Sequence, residues 1–426
     1  MRWLSEQDNR GRVVLITAIL CMWLLILLAF KYYGYEETWR IWNVPTFSPP
    51  FTDFRLIPGS AESFRNGFEP SVENPYDSSG RIFNYPTFWR IFFYTGITQD
   101  DTIWISVLMI VLFFVGVFLF LGKLRTLDAV VVLFVVFSPA SMLLYERGNV
   151  DLIIFVICVF IVVASDYKPS LTALLLVFGA VVKLFPFFGI GVLLRESKNT
   201  FLKYFLGCFM ATLAYMYLTI DSMRVAWNST MRGEELSYGT DVLVTRWGDQ
   251  ISLLLARWFS VPVVEQLKDY FPLMLALMLI GVLGLSALRE KAVAVTSERN
   301  LAAFRMGASV YVGTFLLGNN WDYRLAFLVF VVPQLMHWLA VDNKKLRMAT
   351  YIGMNALLIS CWHFLLYKLP FFPFFGSAHE FWIVFDETAN WVLFADLSFL
   401  LFASMPDWVK ELTRFRLPNK KPAQVM

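Results

Sequence analysis

Between Val13 and Phe30 the only polar interruption is Thr17, and such a run matches the roughly 17 to 25 residues that a helix needs to cross a bilayer. A segment of this kind has few places to go. In lipid it satisfies its own backbone as a helix, which an irregular chain cannot do. Comparable runs recur near residues 103–122, 129–145, 151–165, 201–220, 271–288, 301–318, 325–341, 349–367 and 391–405. The reading is therefore an all-α integral membrane protein, a polytopic bundle of about 10 spanning helices. No small-residue cleavage site follows the first run, so an anchor is expected there rather than a removed signal peptide.

Composition agrees. Apolar residues make up 58% of the 426 positions and charged ones 16%, against roughly 25% charged in a soluble domain. That balance excludes a soluble multidomain enzyme, a disordered chain and a nucleic-acid binder, and it makes the lipid bilayer the first partner. The net charge of +3 names no partner. Cys21, Cys158, Cys208 and Cys361 each sit inside an apolar run, so neither a disulfide framework nor a CxxC site is indicated. With no repeat in view, residues 1–405 read as one transmembrane domain and 406–426 as a basic cytoplasmic tail.

The stretch 170–195 departs from this pattern. Ser170 to Val182 and Phe185 to Leu194 are each too short to span, and they read as two half-helices folded into a hairpin. If the chain starts in the cytoplasm, the basic residues Arg2, Arg10, Arg12, Lys123, Arg125, Lys168, Arg195, Lys198, Lys203, Arg289, Lys291, Arg299, Lys344, Lys345, Arg347, Lys410, Arg414, Arg416, Lys420 and Lys421 share one side. The positive-inside rule is then obeyed in the short inner loops. Both termini are cytoplasmic in this reading. The long connections 31–102, 221–270 and 367–390 become outer loops.

Two features could carry chemistry. In the first outer loop Asp53 lies between Phe51 and Phe54, where partial desolvation suits a carboxylate to the work of a general base; the bland alternative is a solvated loop acid. The second is a set of cations at expected outer helix starts. Arg147 precedes Gly148-Asn149 and a helix from Asp151; Lys183 precedes Leu184-Phe185-Pro186; Arg324 follows Asn320-Trp321-Asp322-Tyr323. Helix N-termini offer unpaired N–H groups and a positive dipole end, so a cation at each would make an anion site fitted to phosphate. Otherwise Arg147 pairs with Glu146 or Asp151, Arg324 pairs with Asp322, and both snorkel. Lys183, between half-helices at membrane depth, points to a cavity. His337, His363 and His379 show no ligand spacing, so no metal is expected, and Arg305 is expected to snorkel to the cytoplasmic interface.

The order of these elements resembles the GT-C superfamily of membrane glycosyltransferases, and within it glycosyltransferase family 87, the polyprenol-phosphate-mannose-dependent mannosyltransferases. The resemblance rests on Asp53-Phe54, Asn74-Pro75-Tyr76, Asn84-Tyr85-Pro86, Glu146-Arg147-Gly148-Asn149-Val150-Asp151, Lys183-Leu184-Phe185-Pro186 and Asn320-Trp321-Asp322-Tyr323-Arg324. Tyr85-Pro86-Thr87 departs from the family's frequent Tyr-Pro-Pro. The resemblance implies Asp53 as catalytic base and Arg147, Lys183 and Arg324 as contacts to a lipid phosphate. Tyr85, Asn149, Asp151, Asn320, Asp322 and Tyr323 join them as candidate substrate-binding residues by their place in these motifs. It implies a polyprenyl-phosphate sugar donor, a glycolipid or glycan acceptor, no separate cofactor, and an active site on the extracytoplasmic face, in a bacterial plasma membrane rather than the endoplasmic reticulum. Two rivals stand beside it: a secondary transporter or flippase for an anionic or lipid-linked substrate, and a lipid-linked polysaccharide polymerase or ligase.

Overall fold

The computed structural model describes residues 10–233, 235–290, 297–369 and 378–413. The expected cytoplasmic cations Arg2, Lys291, Arg414, Arg416, Lys420 and Lys421 lie outside these residues, as do most of the tail 406–426 and the middle of the connection 367–390. Among the described residues helix is the dominant regular structure. The exception is a two-residue ladder in which β1 (Ser237–Tyr238) pairs antiparallel with β2 (Asn320–Trp321).

Five helices are long and apolar enough to cross a membrane among the described residues: α1 (Arg10–Tyr33), α4 (Thr102–Phe120, extended back to Gln99), α9 (Lys198–Leu218), α13 (Phe271–Leu288) and α16 (Lys344–Leu366). A sixth results if α5 (Thr126–Val136) and α6 (Pro139–Arg147), bent by 52° at their junction, form one span. The molecule is a helical protein of membrane type. Leu20, Leu24, Leu25, Val111, Leu206 and Val282 stand exposed on α1, α4, α9 and α13, a surface that only an apolar solvent would cover without penalty.

The expectation of about ten spans is corrected here, and the reasons are local. The run 151–165 is α7 (Asp151–Ala164), 14 residues long. The run 301–318 is α14 (Glu298–Leu316), which is buried on all sides at the centre of the bundle and begins with Glu298 and Arg299. The run 325–341 is broken into a 3-10 helix, Asp322–Phe330, and the short α15 (Val332–Trp338), where Pro333 removes a backbone donor. The run 391–405 is half of α17 (Ala378–Ala403), which carries the buried acids Asp386, Glu387 and Asp396.

At 170–195, α8 (Pro169–Val182) ends at Lys183, and a 3-10 helix, Phe185–Arg195, follows. A Cβ built on Gly179 would stand 3.0 Å from Pro186 Cβ, so the two pieces pack closely. The connection 31–102 is itself folded. It contains α2 (Tyr35–Arg40), α3 (Thr52–Arg65) and a 3-10 helix, Thr87–Tyr94. The connection after α9 likewise holds α10 (Ile220–Ser229), α11 (Thr240–Leu255) and α12 (Val261–Leu267). Arg305 does not snorkel. It is buried and donates from Nη2 to Ser404 O, while Lys410 Nζ, on the terminal α18 (Asp407–Thr413), donates to Ala403 O at 2.8 Å. The two cations satisfy carbonyls at the end of α17, where the helix dipole favours positive charge.

Candidate functional site

Asp53 lies in the first turn of α3, where an acid complements the helix dipole. Its position is set by neighbours on both sides. Asn74 accepts from Ser63 Oγ (2.6 Å) and donates to Ser60 Oγ (3.0 Å) and to Arg81 O (2.8 Å), so a buried amide pins the 74–81 loop to α3. Arg81 is thereby brought to the start of the helix. It donates to Thr52 O at 2.6 Å, pairs with Asp77 at 3.0 Å, and reaches within 3.8 Å of Asp53 Oδ1. Burial opposes the Arg81 charge, but the hydrogen bond and charge of Asp77, together with Asp53, raise its pKa above the ordinary value.

On the other side, Ser138 caps α6 by accepting from Ser141 N, with Pro139 at the first helical position. α6 ends at Gly148, whose φ of 55° lies in the left-handed region. A Cβ at Gly148 would meet Ser106 Oγ at 2.8 Å and Phe51 Cβ at 2.9 Å, so only glycine lets the turn approach α3. The turn presents Asn149. Its Oδ1 accepts from Asp151 N at 3.0 Å, and its Nδ2 donates to Asp53 Oδ2 at 2.6 Å.

Asp151 is wholly buried and holds two cations at once: Lys183 Nζ at 2.5 Å on Oδ1 and Arg324 Nε at 3.1 Å on Oδ2. Lys183 is delivered by the break after α8, whose last carbonyls are satisfied from elsewhere: Trp89 Nε1 donates to Val182 O (2.9 Å) and Tyr215 OH to Val181 O (3.0 Å). Arg324 is delivered by the segment after β2, where its Nη1 donates to Asn320 Oδ1. Tyr85 joins the two halves. Its hydroxyl donates to Asp53 O at 3.3 Å, and its ring centroid lies 5.9 Å from Lys183 Nζ. Burial and then the Asp53 charge push the Tyr85 phenol well above its ordinary range, so it stays protonated as a donor.

Arg147 is the last residue of α6 and does not open a helix, which corrects the expectation of a cation at a helix N-terminus. It pairs with Glu146 (3.3 Å), and its guanidinium sits 3.8 Å from the Phe47 ring and 5.7 Å from Trp321. Its side chain is 6% exposed, yet Nη2 has no hydrogen-bond partner among the described residues. Lys183 is likewise a helix C-cap, and Arg324 lies inside the 3-10 helix, so the anion-site argument passes from helix ends to the side chains themselves. Tyr323, stacked with Trp321 at 6.3 Å, lies within the electrostatic reach of Arg324, Asp151, Asp53 and Arg147.

Charge is distributed unevenly. The Lys183–Asp151–Arg324 triad carries one net positive charge, while Arg81 faces two carboxylates, Asp53 and Asp77, on the other side of Tyr85. Such a dipolar site suits an anionic group beside the triad and a base beside Arg81. No family model, curated protein or solved structure matches this chain.

One of the residues expected at this site parts company with the rest. Asp322 turns away from Arg324 into a separate buried cluster, 3.3 Å from His363 Nε2, and Asn320 donates to Thr314 O at 2.5 Å while holding Arg324. Asp322 is therefore not beside Asp53. Sequence reasoning missed Arg81 and Phe47, whereas the Arg147–Glu146 pair is the alternative it had weighed for that arginine. Arg81 looks like an ordinary loop cation, and only the Asn74 pin, visible as buried polar residues in a Pro-rich loop, could have signalled it. Among the described residues no group of three or more His, Cys, Asp or Glu side chains is arranged to hold a metal.

Proposed function

We propose that this chain is a GT-C-like membrane glycosyltransferase that moves a sugar, a mannose-like hexose or a pentose, from a polyprenyl-phosphate donor to an acceptor hydroxyl of a glycolipid or glycan. The observation that carries the reading is the union of Asp53 with the Lys183–Asp151–Arg324 triad through Asn149 and Tyr85. A base and a locally positive patch at one place are what sugar transfer from a lipid phosphate needs.

In the proposed step Asp53 Oδ1 takes the proton of the acceptor hydroxyl as its oxygen attacks the anomeric carbon. The bond from that carbon to the phosphate oxygen breaks on the opposite face, giving inversion, and polyprenyl phosphate leaves with the bonding electrons. Lys183, Arg324 and the unpartnered Nη2 of Arg147 stabilise the charge that gathers on the departing phosphate. Asn149 fixes Asp53 Oδ2, so Oδ1 is the oxygen turned to the acceptor. The cations suffice for a monophosphate leaving group, and no metal is assigned.

The same reading sets the topology: both termini in the cytoplasm and the site at the extracytoplasmic leaflet of a bacterial plasma membrane, with the bilayer holding the donor's isoprenoid chain. In it, the short helices 151–164 and 169–195 and the broken 322–338 segment flank the site inside the bundle formed by the longer helices. Reconstitution with radiolabelled polyprenyl-phosphate sugar tests the proposal. Labelled glycolipid that disappears in Asp53→Asn supports it; accumulation of donor inside vesicles without product would replace it by transport.

A further inference from the structure

Asp322 and Arg324 are two residues apart on a 3-10 helix, which turns about 120° per residue, so their side chains leave it on different sides. Arg324 faces Asp151. Asp322 faces His363 of α16, whose imidazole also lies 3.5 Å from Asp386 of α17. Asp386 and Glu387 in turn meet Arg246 of α11, at 3.5 and 3.2 Å. The Asp322, His363 and Asp386 side chains are wholly buried. Ser360 O, 2.7 Å from His363 Nδ1, can only accept, so Nδ1 carries a hydrogen. Nε2 approaches Asp322 Oδ2 at 3.3 Å as a charge contact rather than an aligned hydrogen bond.

A buried ionic network of this kind adds little stability over an apolar replacement, and its best-attested use is to select one geometry among several. The β1–β2 ladder and the Asp322 N–H, which donates to Leu236 O at 3.0 Å, already hold the backbone at 320–322. They leave rotation of the segment about its own axis to the side chains. The buried apolar side chains from Leu325 to Phe330 resist that rotation further along, and two ionic anchors about 120° apart around the axis fix it at Asp322 and Arg324.

We propose that His363 is a positioning residue for Arg324: clamped between Asp322 and Asp386, it fixes the 320–324 segment so that the Arg324 guanidinium meets the donor phosphate. The role rests on the function proposed above. It is tested on the full chain in lipid nanodiscs with farnesyl phosphate as the probe, and by amide hydrogen exchange. His363→Leu raises exchange at 320–326 and weakens farnesyl phosphate by on the order of tenfold, the scale of one lost charge-assisted contact. His363→Gln, whose amide N–H can reach Asp322, restores both. In an Arg324→Gln background His363→Leu costs no further affinity, because the imidazole acts only through that guanidinium. Should His363→Leu not fold, Asp322→Asn carries the same comparison at lower cost in buried charge. Unchanged affinity in a folded His363→Leu or Asp322→Asn chain, or additive losses with Arg324→Gln, overturns the positioning role alone. A wild-type chain that does not bind farnesyl phosphate overturns the function as well.

Discussion

Asn149 Nδ2 donates to Asp53 Oδ2 at 2.6 Å across 96 positions of sequence. The bond matters because Asn149 is itself held: its Oδ1 accepts from Asp151 N, and Asp151 holds Lys183 and Arg324. One short turn thus connects the proposed base to the proposed phosphate cations. A shift of the turn would move both together.

Asp53→Asn should reduce transfer by on the order of a thousandfold or more, as expected for loss of a positioned general base, with farnesyl phosphate affinity close to wild type. Asn149→Ala should keep the fold and lower kcat by a smaller factor, on the order of tenfold to a hundredfold, by freeing the carboxylate to rotate. Steady-state transfer assays with each variant check the order; full turnover in Asp53→Asn removes Asp53 from the mechanism.

Asp151→Ala would leave Lys183 and Arg324 facing each other without their shared counter-ion. Breaking a buried pair from one side costs about 3 to 5 kcal/mol, so the unfolding temperature in detergent should fall sharply. Lys183→Ala leaves Asp151 still paired with Arg324, and should lose donor affinity more than stability. Thermal unfolding beside farnesyl phosphate titration separates the two effects.

Arg147→Lys is not a conservative change here. The guanidinium carbon lies 3.8 Å from the Phe47 ring centroid and 5.7 Å from that of Trp321, and an ammonium lacks both the flat face that stacks on a ring and the planar fork that grips a phosphate with two parallel N–H groups. Farnesyl phosphate should bind on the order of tenfold more weakly. Equal affinity would place Arg147 in a structural pairing with Glu146 only.

Gly148→Ala should be strongly disruptive for a change of one methyl group. It adds the left-handed backbone penalty, about 1 to 2 kcal/mol, to a clash with Phe51 and Ser106. Loss of both the thermal transition and transfer is expected, whereas Gly96→Ala, which meets open space, should leave both intact.

Acid should loosen the connection around Glu69 and Arg90. Hydrogen bonds from Arg90, with smaller contributions from Ser71, hold the Glu69 carboxyl below its ordinary pKa. A depressed carboxyl stabilises fully above its unfolded value and loses that contribution as pH falls through the folded one. The pair is solvent-screened, so the effect is small. Arg90→Gln should flatten the acid limb of exchange at 68–73, and an unchanged limb would assign the sensitivity elsewhere.

The apolar runs made the solvent legible, because a helix such as α1 has an outer surface that only lipid tolerates. Length alone could not tell a spanning helix from a core helix: α14 is as long as α13, but packing surrounds it on every side and its first turn is charged. The 322–338 break came from Pro333 and from a 3-10 segment that apolar periodicity does not report. In the candidate site, the residue types of Asp53, Asn149, Asp151, Lys183 and Arg324 were readable from local order and resemblance. Their partners were not.

Sequence by itself determined that this chain lives in lipid, breaks its helix at Lys183, and sets an acid among aromatics after its first span, since each follows from the cost of burying polar groups or of ending a helix. Only the tertiary structure decided that Asp151 collects Lys183 and Arg324, that Arg81 faces Asp53, and that Asp322 turns to His363. Those are contacts between segments tens to hundreds of residues apart, and an ion pair has no local signature: which acid a buried cation meets depends on which helices pack, not on which residue stands next to it.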